Sequence, residues 1–64
     1  MSAEEAVTIA LDAVGGGHVV ETDVDEFDIP IQVWEVTVVT ADGLRRQVSI
    51  DMRNGSILSN EADD

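Results

Sequence analysis

Cysteine and lysine are both missing from this chain of 64 residues. Without cysteine no disulfide can staple the fold, and the compartment cannot be read from redox chemistry. Without lysine the only fixed cations are three arginines, set against 14 acidic residues for a net charge of −11. Such a surface repels phosphate backbones and anionic headgroups, which argues against direct binding to nucleic acid or to a membrane surface and favours a basic partner or cations. The same charge also serves solubility, and a genome-wide acidic bias would produce it equally well. No apolar run approaches ~18 residues, so no transmembrane helix is expected, and Met1-Ser2-Ala3-Glu4-Glu5 has neither the basic nor the apolar region of a secretory signal. The expected location is cytoplasmic, or secreted or in the cell envelope if the chain is excised from a longer precursor. Histidine occurs once, at His18.

What is present suffices for one small domain. Apolar residues make up 44% of the chain, which argues for a packed core over disorder. At this length folding buries only ~60% of the surface exposed by the unfolded chain, so stability is marginal. The domain is expected to span residues 1–60, with the acidic residues 61–64 as a frayed tail.

Ser2 and Glu5 have capping-box spacing, and Glu4 and Glu5 suit the positive end of a helix dipole, so a helix is expected from Ala3 to Val14. Ala6, Val7, Ala10, Leu11, Ala13 and Val14 form its apolar stripe. Gly15-Gly16-Gly17 then closes it; as a phosphate loop the triplet fails, because it follows a helix and no Gly-Lys-Ser/Thr comes after it.

From His18 to Phe27 residues alternate, with Val20, Thr22 and Val24 on one face and Glu21, Asp23 and Asp25 on the other. Pro30 interrupts this strand, since proline cannot donate to a ladder. A second strand, Ile31 to Thr40, places Trp34, Val36 and Val38 on one face and Val33, Glu35, Thr37 and Val39 on the other. The third, Leu44 to Asp51, sets Arg46, Val48 and Ile50 against Arg45, Gln47 and Ser49. A two-residue turn at Asp42-Gly43 would put Val36 opposite Ser49 and mix the faces. A three-residue loop, Ala41-Asp42-Gly43 with Gly43 left-handed, pairs Trp34 with Ile50 and Val36 with Val48, keeping one apolar face. The same logic predicts a turn at Met52-Arg53-Asn54-Gly55, with Gly55 left-handed, Asp51 accepting from turn N–H groups, and Ile50 opposite Ile57. The fold class is α+β: one N-terminal helix packed on a three- to four-stranded antiparallel meander, with Trp34, Val36, Val48 and Ile50 in the core.

Val33-Trp34-Glu35-Val36-Thr37-Val38, Asp42-Gly43, Val48-Ser49-Ile50-Asp51 and Asn54-Gly55-Ser56-Ile57-Leu58 together resemble the PepSY domain. That family has an aromatic-Glu-Val-x-Val strand, an Asp-Gly turn, and a strand ending in Asp-x-x-x-Gly-x-Val/Ile. The resemblance runs from Ala3 to Leu58; it departs from the pattern at Phe27-Asp28-Ile29-Pro30, where the family usually has a Gly-containing polar turn. It implies a non-enzymatic module of the kind found in propeptides of secreted metallopeptidases and in envelope proteins, one that inhibits or regulates a peptidase, and it offers no catalytic residues to carry over; no cofactor is expected.

The residues themselves point the same way. A zinc-peptidase helix needs two histidines flanking a glutamate, and His18 stands alone, so a packing or surface role is expected for it. Ser49 and Ser56 have no nearby base. Asp23, Asp25, Glu26 and Asp28 cluster oxygens of the kind that bind calcium, but an EF-hand counted from Asp23 would need Gly at Asp28 and Glu at Trp34. Asp23, Asp25 and Asp28 are therefore weak cation candidates, and a solvated strand face is the simpler reading. The sheet face away from the helix is expected to leave Phe27, Val33 and Val39 exposed near Glu35 and Arg45, as a docking surface for a protein partner, a peptidase included, or for a second copy forming a homodimer. A structural or oligomerising module and a weak cation-binding domain are the alternative functions.

Overall fold

The computed structural model describes residues 1–26 and 31–63. One helix, α1 (Ala3–Val14), is followed by four strands, β1 (His18–Glu26), β2 (Gln32–Val39), β3 (Arg45–Asp51) and β4 (Ile57–Ala62). They form a single antiparallel sheet in the order β1-β2-β3-β4, the expected meander.

The helix begins where the capping box places it. Ser2 Oγ accepts from the Glu5 N–H at 3.2 Å, and Glu5 Oε1 accepts from the Ser2 N–H at 3.1 Å. Gly15 ends the helix in the left-handed conformation, and the Gly16 N–H reaches back to the Leu11 carbonyl at 2.8 Å. Ala6 and Ala10 are fully buried, so the helix lies close on Val36, Val38, Val48 and Ile50. Val7, Ile9, Leu11, Val14, Val19 and Trp34 pack around this centre. The stripe differs from expectation at two positions: Ala13 is exposed, and Ile9 takes a place beside the core. Ile9 and Met1 cover Gly55, whose turn comes up under the start of the helix.

Register follows the turn argument. Trp34 pairs with Ile50, Val36 with Val48, and Ile50 with Ile57. Gly43 has φ 85° in the β2–β3 turn, a backbone state that L side chains adopt only at a cost. The Thr40 N–H bonds the Leu44 carbonyl at 2.8 Å, closing the loop around Ala41-Asp42-Gly43, and the Thr40 hydroxyl bonds Asp42.

Three expectations are corrected. Val20 does not share the inner face of β1: a bulge between Val19 and Glu21 makes it the extra residue, leaves it 45% exposed, and lets Val19 take the core position opposite Val38. Glu61 and Ala62 do not fray, because β4 pairs them with Gln47 and Arg46, and the Asp63 N–H bonds the Arg45 carbonyl at 3.0 Å. Val33 is not exposed: it is 1% accessible. Phe27, Asp28 and Pro30, with their expected roles, lie outside the described residues, as does Asp64.

Candidate functional site

The helix covers one face of the sheet, and the register puts His18, Glu21, Asp23 and Asp25 of β1, Val33, Glu35, Thr37 and Val39 of β2, and Arg45, Gln47, Ser49 and Asp51 of β3 on the other. This open face is less apolar than the alternation alone suggests. Thr37, Ser49 and Asp51 are buried although no helix lies over them. Thr37 sits between Glu21 and Gln47 across the strands and between Glu35 and Val39 along its own, so longer neighbours wall it in. Val33 lies between Asp25 and Asp51 in the same way. Of the apolar residues expected to form a patch, Val39 alone is partly accessible among those described. What the face presents is charge.

That charge is arranged asymmetrically. On the β1 side, Asp23 stands opposite Glu35 and Asp25 opposite Val33, with Glu21 one pair further on. Desolvation on the crowded strand, together with the negative charges of Asp25, Asp23 and Glu21 and a bond with the Asp25 carboxyl, holds the Glu35 carboxyl above its usual range. On the β3 side, Arg45 reaches Asp63 at 3.7 Å with both side chains substantially exposed, a contact worth little in water.

The second charged feature is the turn after β3. Asp51 Oδ1 accepts from the Arg53 N–H at 2.9 Å and from Arg53 Nε at 3.1 Å, while Oδ2 accepts from Nη2 at 2.8 Å. The backbone bond was legible in the sequence as a turn signal; the side-chain fork from Arg53 was not. These bonds hold the Asp51 carboxyl below its usual range and push the Arg53 guanidinium up. The clamp is structural, because it leaves Asp51 buried with its oxygens already occupied.

The opposite signs of the two carboxyl shifts set a pH profile. Glu35, raised in the folded state, makes folding more favourable as pH falls from neutral through its folded pKa, the gain being complete below the unfolded value of about 4.3. Asp51, depressed in the folded state, contributes stability that is present above the unfolded value of about 3.9 and lost as pH falls through its folded pKa. Thermal melts should therefore show greatest stability at mildly acidic pH. Glu35→Gln should raise the melting temperature at pH 7 and flatten the acidic side of that rise; a variant melting below the wild type at pH 7 would mean the Glu35 charge is favourable where it sits. Asp51→Asn should lower stability at pH 7 and abolish the steep loss below pH ~4. An unchanged acid limb in that variant would assign the limb to other carboxylates.

Among the described residues no group of three or more His, Cys, Asp or Glu could hold an ion, and Asp28, the third cation candidate beside Asp23 and Asp25, lies outside them. A shallow groove between the end of α1 and the β2–β3 turn is lined by Val14, Thr40, Leu44, Arg46 and Asn60. Its one cation is committed, since Arg46 Nη2 donates at 2.9 Å to both the carbonyl and the side-chain oxygen of Asn60. No helix among the described residues is long and apolar enough to cross a membrane.

A capped helix over a four-stranded meander with these turns is what the family resemblance implies, and the comparison with known families decides it. The profile of the peptidase propeptide and YPEB domain, PepSY, matches residues 1–61. The chain belongs to the PepSY family. The matched span runs through β1, β2 and β3 and to the penultimate residue of β4, so the PepSY match and the folded unit nearly coincide. No curated protein and no solved structure matches the chain. PepSY domains are of the propeptide type, generally non-catalytic and associated with peptidases.

Proposed function

We propose that this PepSY domain is a non-catalytic protein-interaction module that regulates a peptidase carried by another chain. The single observation behind this is the PepSY match over nearly the whole folded unit. The composition supports it: a lone histidine cannot build a zinc-peptidase helix, so a zinc peptidase regulated by this domain lies outside these residues. The contact surface we assign is the open sheet face around Glu35, Val39, Arg45 and Gln47. Val33 drops out as a contact, because a residue buried to this degree supports the sheet instead of touching a partner.

The test is titration of the purified domain into peptidases of its source organism, with hydrolysis of a labelled casein as readout. Loss of activity of at least one peptidase near equimolar domain supports the proposal, and relief of that inhibition by Val39→Glu with Arg45→Glu supports the face. Peptidases that all keep full activity at a large molar excess of domain would sink it.

A further inference from the structure

We propose that the outer edge of β1 is a docking site for an extended basic segment of a partner protein, which adds as a fifth strand beside Glu21–Glu26 with alternate lysine or arginine side chains over Glu21, Asp23 and Asp25. This rests on the reading of the chain as an interaction module, and it adds to the open face a second surface, the β1 edge, together with the chemistry of its partner.

β1 is the terminal strand of the sheet and, at nine residues, its longest. Among the described residues no strand, helix or loop bonds the outward backbone groups of Val19–Asp25, and the Glu26 N–H alone is taken locally, by Asp25 Oδ1 at 2.8 Å. An edge of unpaired N–H and C=O groups is a template for another strand. The bulge at Val20 ends that template on one side by twisting the strand, and beyond it Glu21–Glu26 keep unbroken register with β2. Six regular residues remain, enough for one added strand. β4, at the other edge, offers less: its register shifts between Ile57 and Ser59.

Side chains then select the partner. On the open face the six residues present Glu21, Asp23 and Asp25 in alternation, and an incoming strand sets its own alternate side chains directly beside them. A second copy of β1 would place carboxylates beside carboxylates, so the edge discourages self-pairing and accepts cations. On the other face Val24, opposite Trp34, is 52% exposed, which leaves apolar surface for a valine or isoleucine placed between the basic residues. Cations along this row would also offset the repulsion that Asp25, Asp23 and Glu21 exert on Glu35. Alternating basic and apolar residues in an extended segment satisfy all of these features together.

The experiment uses the whole domain, isotope-labelled, with three synthetic peptides: one alternating lysine and valine, one with the same residues as a lysine block and a valine block, and one alternating but N-methylated along a single edge. The alternating peptide is expected to slow amide exchange at every other residue of Glu21–Glu26. The block isomer and the N-methylated peptide are expected to bind more weakly, and Asp23→Asn with Asp25→Asn to weaken the alternating peptide by about fivefold at low salt. Both positions are exposed, so the double variant should keep its fold, which its own amide spectrum verifies. Equal binding of the block isomer, protection along β4, or no protection at β1 would overturn the proposal. Protection at β1 with no peptidase inhibited would leave the edge standing and remove the regulatory reading. Inhibition of a peptidase while the β1 amides exchange freely would do the reverse.

Discussion

Ile50→Ala is expected to destabilise the domain by about 2–5 kcal/mol, the range for truncating a fully buried branched aliphatic. Ile50 is completely inaccessible, lies opposite Trp34 on β2 and Ile57 on β4, and belongs to the cluster beneath Ala6 and Ala10. The alanines make the site unforgiving, because neither they nor the neighbouring valines carry spare side chain to fill the space that is left. A domain of this length has a total stability on the order of 3–10 kcal/mol, so the single truncation removes a large share of it. Urea unfolding should show the midpoint falling by a large fraction with little change in slope. Val24→Ala, at a half-exposed position, should move it by no more than about 0.5 kcal/mol. If the two variants unfold together, the helix does not lie over Val36, Val48 and Ile50. Trp34 is expected to rank behind Ile50 per atom removed, since it is only partly buried and its indole N–H is enclosed without a partner among the described residues.

The pairing of Ile50 with Trp34 could be derived from sequence because register and burial constrain each other. With period-two alternation, one residue of slip would have exposed Val36 and Val48, and only a three-residue β2–β3 loop avoids that. The helix cap was legible for a similar reason: Ser2 and Glu5 satisfy each other's backbone N–H at a fixed spacing. What escaped was set by geometry between elements. Val19 and Val20 are chemically alike, so alternation cannot say which enters the core; the bulge decides it, and nothing local marks a bulge. Val33 reads as exposed when only the helix is counted as cover, and its burial comes from its place in the sheet. The Arg46 bond to Asn60 joins residues brought together only by the β3–β4 register. For the candidate site, the acidic alternation of Glu21, Asp23 and Asp25 was visible in the sequence, while the free edge beside it required knowing that β1 ends the sheet.

Gly17→Ala is expected to be as damaging as the core truncation, for a different reason. Gly17 links α1 to β1 with φ 128°, and a Cβ built there would run into the Val39 carbonyl oxygen and stand 3.0 Å from Thr40 Cα. Both are backbone atoms, one in the last residue of β2 and the other in the residue after it, so no side chain can swing aside. The φ alone costs about 1–3 kcal/mol for a residue with a side chain, and the overlap adds to it by prising His18 away from Val39, where the β1–β2 ladder begins. Gly15 is the internal control: its φ is 82°, but a Cβ there meets nothing within 4 Å, so Gly15→Ala should cost only the left-handed penalty of about 1–2 kcal/mol. Unfolding curves should order the variants as wild type, Gly15→Ala, then Gly17→Ala, and the last should speed amide exchange at His18 and Val19 before exchange in β3. Equal stability of the two alanine variants would mean that the link does not press against β2. The packing of α1 over the sheet would then depend on its own side chains, Ala6 and Ala10 with Val7, Ile9, Leu11 and Val14 around them.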